Sequence, residues 1–171
     1  MAIILTFTCA HSLINEQSCL DYYATGNGFN LNDLIGQWYN VYLWPSMPRK
    51  AEKCELVTFK STLENEDVDT CGYDYEDQIV TAKYVNNFGK QKNVTYIGDG
   101  EVKTLIMSCE KIYKYIFMKI NDDYVLGINC SAKGRGLLLS KLLQSSAEIL
   151  SVIEKIEIMT GREGGFLCDI R

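Results

Sequence analysis

The sequence predicts a mainly β fold, a sandwich or an antiparallel barrel, followed by one amphipathic helix. Three observations carry this expectation. Short strand-like segments recur at a spacing of roughly 8–12 residues, clusters of turn-forming residues separate them, and a single apolar stripe of helical period lies near the C-terminus.

The strand candidates are Gln37–Trp44, Glu55–Ser61, Val68–Tyr75, Gln78–Val85, Asn93–Ile97, Val102–Ser108, Ile112–Ile120, Tyr124–Cys130 and Gly136–Lys141. They are rich in Val, Ile, Tyr, Phe and Thr, whose side chains suit a pleated, half-buried surface. Glu64-Asn65-Glu66-Asp67, Asn86-Asn87-Phe88-Gly89 and Gly98-Asp99-Gly100 break the series, and Asn121-Asp122-Asp123 marks the clearest hairpin. Residues 93–108 leave open whether they pair as one strand or two.

The helix follows the strands. Ser145 and Glu148 have the spacing of a capping box, in which each side chain satisfies the other residue's backbone N–H. Ile149, Val152, Ile153, Ile156 and Met159 then fall on one face, and Gly161 stands where a left-handed cap ends a helix. Such a stripe is a packing face against a sheet.

Composition narrows the function. With 171 residues, 47% hydrophobic and 23% charged, the chain fits one soluble domain. Its 17 basic and 22 acidic side chains give a formal charge of −5. No basic cluster stands out, so no nucleic-acid partner is expected. No apolar run reaches the roughly 20 residues that span a bilayer. The seven cysteines are dispersed, with no close pair of the kind a zinc ribbon or thiol-redox site requires, so no metal site is expected. Dispersed cysteines instead suggest staples formed in an oxidising compartment. Ala2 to Ala10 is apolar and Ala10-His11-Ser12 resembles a cleavage site, so residues 1–12 are read as a signal peptide and 13–171 as one secreted domain. Removal of that segment takes Cys9 with it, leaving an even six. It also takes His11, the only histidine, and with it the commonest general base. We therefore expect no enzyme, no required cofactor and no histidine-ligated haem.

Gly36-Gln37-Trp38, opening the first strand candidate, resembles the G-x-W signature of the lipocalins. Asp123-Tyr124 resembles the family's second motif, Leu137–Lys141 its last barrel strand, and the terminal helix follows as in the family. The resemblance covers roughly residues 19–171 and looks closest to the insect bilin-binding proteins and insecticyanins. It implies an eight-stranded antiparallel up-and-down barrel with the C-terminal helix packed outside, Gly36, Trp38 and Lys141 at its floor, and bridges Cys19–Cys130 and Cys54–Cys168. Cys71 and Cys109 remain, and a bridge between them would depart from that pattern. Asp122 replaces the family's Thr. Lys141 replaces an Arg and lacks its planar guanidinium, so the floor should close less rigidly.

On a barrel, strand parity orients the side chains. Taking Trp38 as inward, Asn40 and Tyr42 follow it; taking Cys130 as outward, Val125, Gly127 and Asn129 face the lumen, with Gly127 leaving room. Tyr113, Tyr115 and Phe117 form an aromatic stripe that reads either as cavity wall or as packing beneath the helix. Trp44-Pro45, Met47 and Pro48 read either as an apolar lid or as plain structure. Two acceptor sequons, Asn93-Val-Thr95 and Asn129-Cys-Ser131, are present; parity leaves Asn93 as the expected glycan site and Asn129 unmodified. The resemblance implies a carrier of a small hydrophobic molecule, such as a bilin, retinoid or fatty acid. Two alternatives are an enzyme using a free cavity thiol and a secreted interaction or inhibitor protein with a filled barrel. Oligomeric state stays open.

Overall fold

The structure, a computed structural model, describes residues 15–62, 68–73, 78–86 and 88–170. The segment 1–12, with Cys9 and His11, lies outside them. The described elements are α1 (Glu16–Tyr23), β1 (Gly36–Trp44), β2 (Glu55–Ser61), β3 (Ile79–Val85), β4 (Gln91–Ile97), β5 (Val102–Ser108), β6 (Lys111–Lys119), β7 (Tyr124–Asn129), β8 (Arg135–Ser140), α2 (Ser146–Ile153) and β9 (Gly165–Phe166).

Strands β1 to β8 form an antiparallel meander in which each pairs with the next. β8 also pairs with β1 (Tyr39 opposite Ser140), which closes the sheet into a barrel. Residues 93–108 are two strands, turned by Gly98 at φ 127°, a conformation that L side chains rarely adopt. Along its second edge β1 meets β2 from Gly36 to Asn40. β9 then takes over at Tyr42 and Leu43, so the C-terminal segment patches the wall where β2 diverges.

Two cores result, one on each side of this wall. The inner one fills the closed end with Leu31, Leu34, Trp38, Phe59, Tyr96, Phe117 and Val125. The outer one packs Ile149, Ile156 and Met159 of the helical C-terminal segment, with Cys19 and Tyr23 of α1, against Trp44, Leu126, Ile128 and Leu138. The apolar stripe therefore covers the sheet. Ser145 caps α2 in a complete capping box, but the α-helix stops at Ile153 and the chain continues through a 3-10 turn, Glu157–Met159, to Gly161 at φ 78°.

Three expectations need correction. The described part of Val68–Tyr75, residues 68–73, is a turn and not a strand. Asp69 accepts the Cys71 N–H at 2.9 Å, Tyr73 N–H reaches Thr70 O, and Cys71 and Gly72 both have positive φ. Tyr42 leaves the lumen, because a bulge at Val41 shifts the register between Asn40 and Tyr42. An extra residue in one strand inverts the facing of everything beyond it. Leu43 thus takes the inward position, and Tyr42 packs outside on Trp44 and Phe166. Finally, α1 was not expected; its cap is Asn15, whose side chain accepts the Ser18 N–H.

Candidate ligand-binding site

The floor is built first. Residues Leu31–Leu34 form a 3-10 turn across the closed end, tied to the start of β3 by a Leu31 N–H to Gln78 hydrogen bond of 3.0 Å. Trp38, 1% exposed, donates its indole N–H to Leu34 O at 2.7 Å. From outside, Lys141 Nζ lies 5.0 Å from the centre of that indole, so the ammonium meets the negative face of the ring even without a guanidinium. Gly36, at φ 121°, makes the bend that starts the strand. Lys103, fully buried beside this floor, donates to Gly98 O at 2.8 Å and to Gly100 O.

Above the floor, aromatic rings fill the lower lumen. Tyr96, Tyr115 and Phe117 stand within 6 Å of one another between ring centres. Gly127 does face inward, but its missing side chain makes room for Phe117, whose ring carbon lies 3.0 Å from where a Cβ would stand. Val125 is buried in the same layer. Phe117, Val125 and Gly127 therefore belong to the packed interior.

The upper half is hollow. A cavity of about 490 Å³ opens at the mouth, within the range of small-molecule sites. Among the expected residues it is lined by Asn40, Tyr113, Tyr115 and Asn129. The aromatic stripe is cavity wall at Tyr113 and Tyr115 and core at Phe117. Met47 lines the rim and is half exposed, whereas Trp44 is buried outside the barrel and forms no lid.

Sequence reasoning missed the other half of the wall: Leu43, Glu55, Tyr84, Lys92, Arg135, Leu137 and, from the C-terminal patch, Leu167. Glu55 stands directly opposite Asn40 across the β1–β2 pair. Asn40, 3% exposed, donates its Nδ2 to Glu55 Oε2 at 2.6 Å, while its Oδ1 accepts no hydrogen bond. Burial pushes the Glu55 carboxyl above its ordinary value, against the opposing pull of Asn40 and the Lys92 ammonium. The hydroxyls of Tyr84 and Tyr96 share a hydrogen bond of 2.7 Å, and Asn129 Nδ2 donates to Tyr115 OH at 3.1 Å. Burial raises all three phenols, which stay un-ionised at neutral pH. Asn129 Oδ1 accepts the Ala132 N–H, so this amide is spent on both sides. Asn93 instead lies exposed on the outer face of β4.

Three bridges hold this frame: Cys19–Cys130, Cys54–Cys168 and Cys71–Cys109, with Cα separations of 5.4, 4.9 and 5.4 Å. The third joins the β2–β3 connection to the tip of the β5–β6 hairpin. A meander of eight strands closed on itself, a tryptophan floor and a hollow mouth define the lipocalin fold, and the chain has it.

No protein-family model matches this chain, and no curated protein sequence matches it. Solved structures do. Apocrustacyanin A1 of lobster is 10% identical, with 91% of this chain and 86% of that chain covered and a TM-score of 0.50. The major cockroach allergen Per a 4 is 14% identical (78% and 85% covered, TM-score 0.49). Insecticyanin of the tobacco hornworm Manduca sexta is 16% identical (75% and 74% covered, TM-score 0.40). At such identities the likeness concerns the fold.

Proposed function

We propose that the protein is a secreted carrier that holds one small, largely apolar molecule in the mouth of its barrel. The observation that carries this reading is the hollow upper lumen above a packed floor. A ligand entering it exchanges water for aromatic and aliphatic walls at about 25 cal/mol per Å² of apolar surface, while a few polar groups orient it. A bilin-type pigment, which the sequence resemblance suggests, is one candidate for this chain. Secretion, supported by the three bridges, forms part of the same reading, together with an N-glycan at the exposed Asn93 and removal of residues 1–12.

The catalytic alternative required a free cavity thiol. Every cysteine among the described residues is bridged, so none of those residues supplies the free thiol that chemistry needs. The test is an absorption spectrum and native mass spectrum of protein from its natural source, with tyrosine and tryptophan quenching by lipophilic probes. A bound small molecule, or saturable quenching, is expected. Protein that arrives empty and quenches with no probe would instead favour a surface-acting interaction protein.

A further inference from the structure

We propose that the lumen selects a compact aromatic amine, held by Glu55 and Asn40 as an acceptor pair, over aliphatic lipids. This rests on the cavity being the ligand site. The pair is built, since the two residues are register partners and the Asn40 amide holds the Glu55 carboxylate at 2.6 Å. What the pair lacks is a donor. Asn40 Oδ1, on a residue 3% exposed, accepts nothing, and the Glu55 carboxylate, itself half-buried, lines the same cavity.

A hydrocarbon chain in this space would strip water from both acceptors and return no hydrogen bond, which costs affinity. An ammonium supplies several N–H donors and offsets the buried charge. Its aromatic half then meets the rings of Tyr84, Tyr113 and Tyr115. The protein already places a cation on this wall: Lys92 Nζ sits 5.8 Å from the Tyr84 ring centre and draws on Glu55 electrostatically. Lys92 is thus the ligand's internal competitor.

The experiment is titration calorimetry at pH 7 with 2-phenylethylamine, 3-phenylpropionate and dodecanoate, against wild-type protein, Glu55→Gln, Asn40→Leu and Lys92→Met, each checked for its fold by circular dichroism. We expect the amine to bind more tightly than either acid, to weaken at least tenfold in Glu55→Gln, and to strengthen in Lys92→Met. Should Asn40→Leu fail to fold, the isosteric Glu55→Gln and the exposed Lys92→Met still decide. Dodecanoate or phenylpropionate binding better than the amine, or amine binding unchanged in Glu55→Gln, overturns the proposal and leaves the carrier reading standing. Wild-type protein that binds none of the three, nor any lipophilic dye, overturns both.

Discussion

Glu55 shows how one half-buried group sets a measurable pH dependence. Because burial raises its carboxyl above the ordinary 4.5, the folded chain holds this proton more tightly than the unfolded one. The stabilisation is complete below the ordinary value and is lost as pH climbs through the raised one. At neutral pH the ionised carboxylate is therefore a net cost. Glu55→Gln should raise Tm at pH 7 by up to about 3 °C, and the gap to wild type should close near pH 4; thermal melts at the two pH values check this. Trp38 lies at the other extreme. Truncating a fully buried indole whose N–H is bonded to Leu34 O should cost about 3–5 kcal/mol, read as a fall in the urea midpoint. Trp38 was legible because a motif marks it, and Asn40 by counting two residues on. Glu55, Tyr84 and Lys92 were equally accessible by parity, from Glu55-x-Val57-x-Phe59, Val80-x-Ala82-x-Tyr84 and Lys92-x-Val94-x-Tyr96, but no motif anchors those strands.

The elements were legible wherever local chemistry decides them. Ser145 and Glu148 announce α2 because the capping box needs only residues three apart, and Ser145→Ala should destabilise by about 1 kcal/mol in chemical denaturation. The hairpin at Asn121–Asp123 is local in the same sense, with Asn121 accepting the Asp123 N–H at 2.9 Å. What failed was set by partners. Residues 68–73 alternate like a strand, yet Asp69 captures a backbone N–H and Cys71 is bonded to the distant Cys109, so no neighbouring strand pairs with them. The bulge at Val41 is equally invisible in β1 alone; it follows from fitting β1 against β8 while β9 displaces β2 from the other edge. That slip moved Tyr42 outside.

At the scale of the molecule, the barrel and both long-range bridges were readable through resemblance, while spacing alone left sandwich and barrel equal. The extent of the hollow was not legible, since parity does not tell that Phe117 and Tyr96 fill the lower lumen while Tyr113 and Tyr115 line an open space above them. The Cys19–Cys130 bridge spans a sequence separation of 111. Replacing both cysteines by Ser should cost on the order of 4–5 kcal/mol in the chain-entropy account, and lower Tm by roughly 10 °C in calorimetry.

Those bridges also divide the rim. Four connections surround the mouth, and three carry an anchored cysteine: Cys54 between β1 and β2, Cys109 between β5 and β6, Cys130 after β7. The fourth, joining β3 to β4, has no covalent tether among its described residues and presents Phe88 at 87% exposure. Sulfur links pin three corners of the vessel, while the fourth is braced by the side-chain carbonyl oxygen of Asn86, which accepts the Phe88 and Lys90 N–H at 3.0 and 2.9 Å. Reduction should therefore loosen three corners of the opening and leave the fourth as it is.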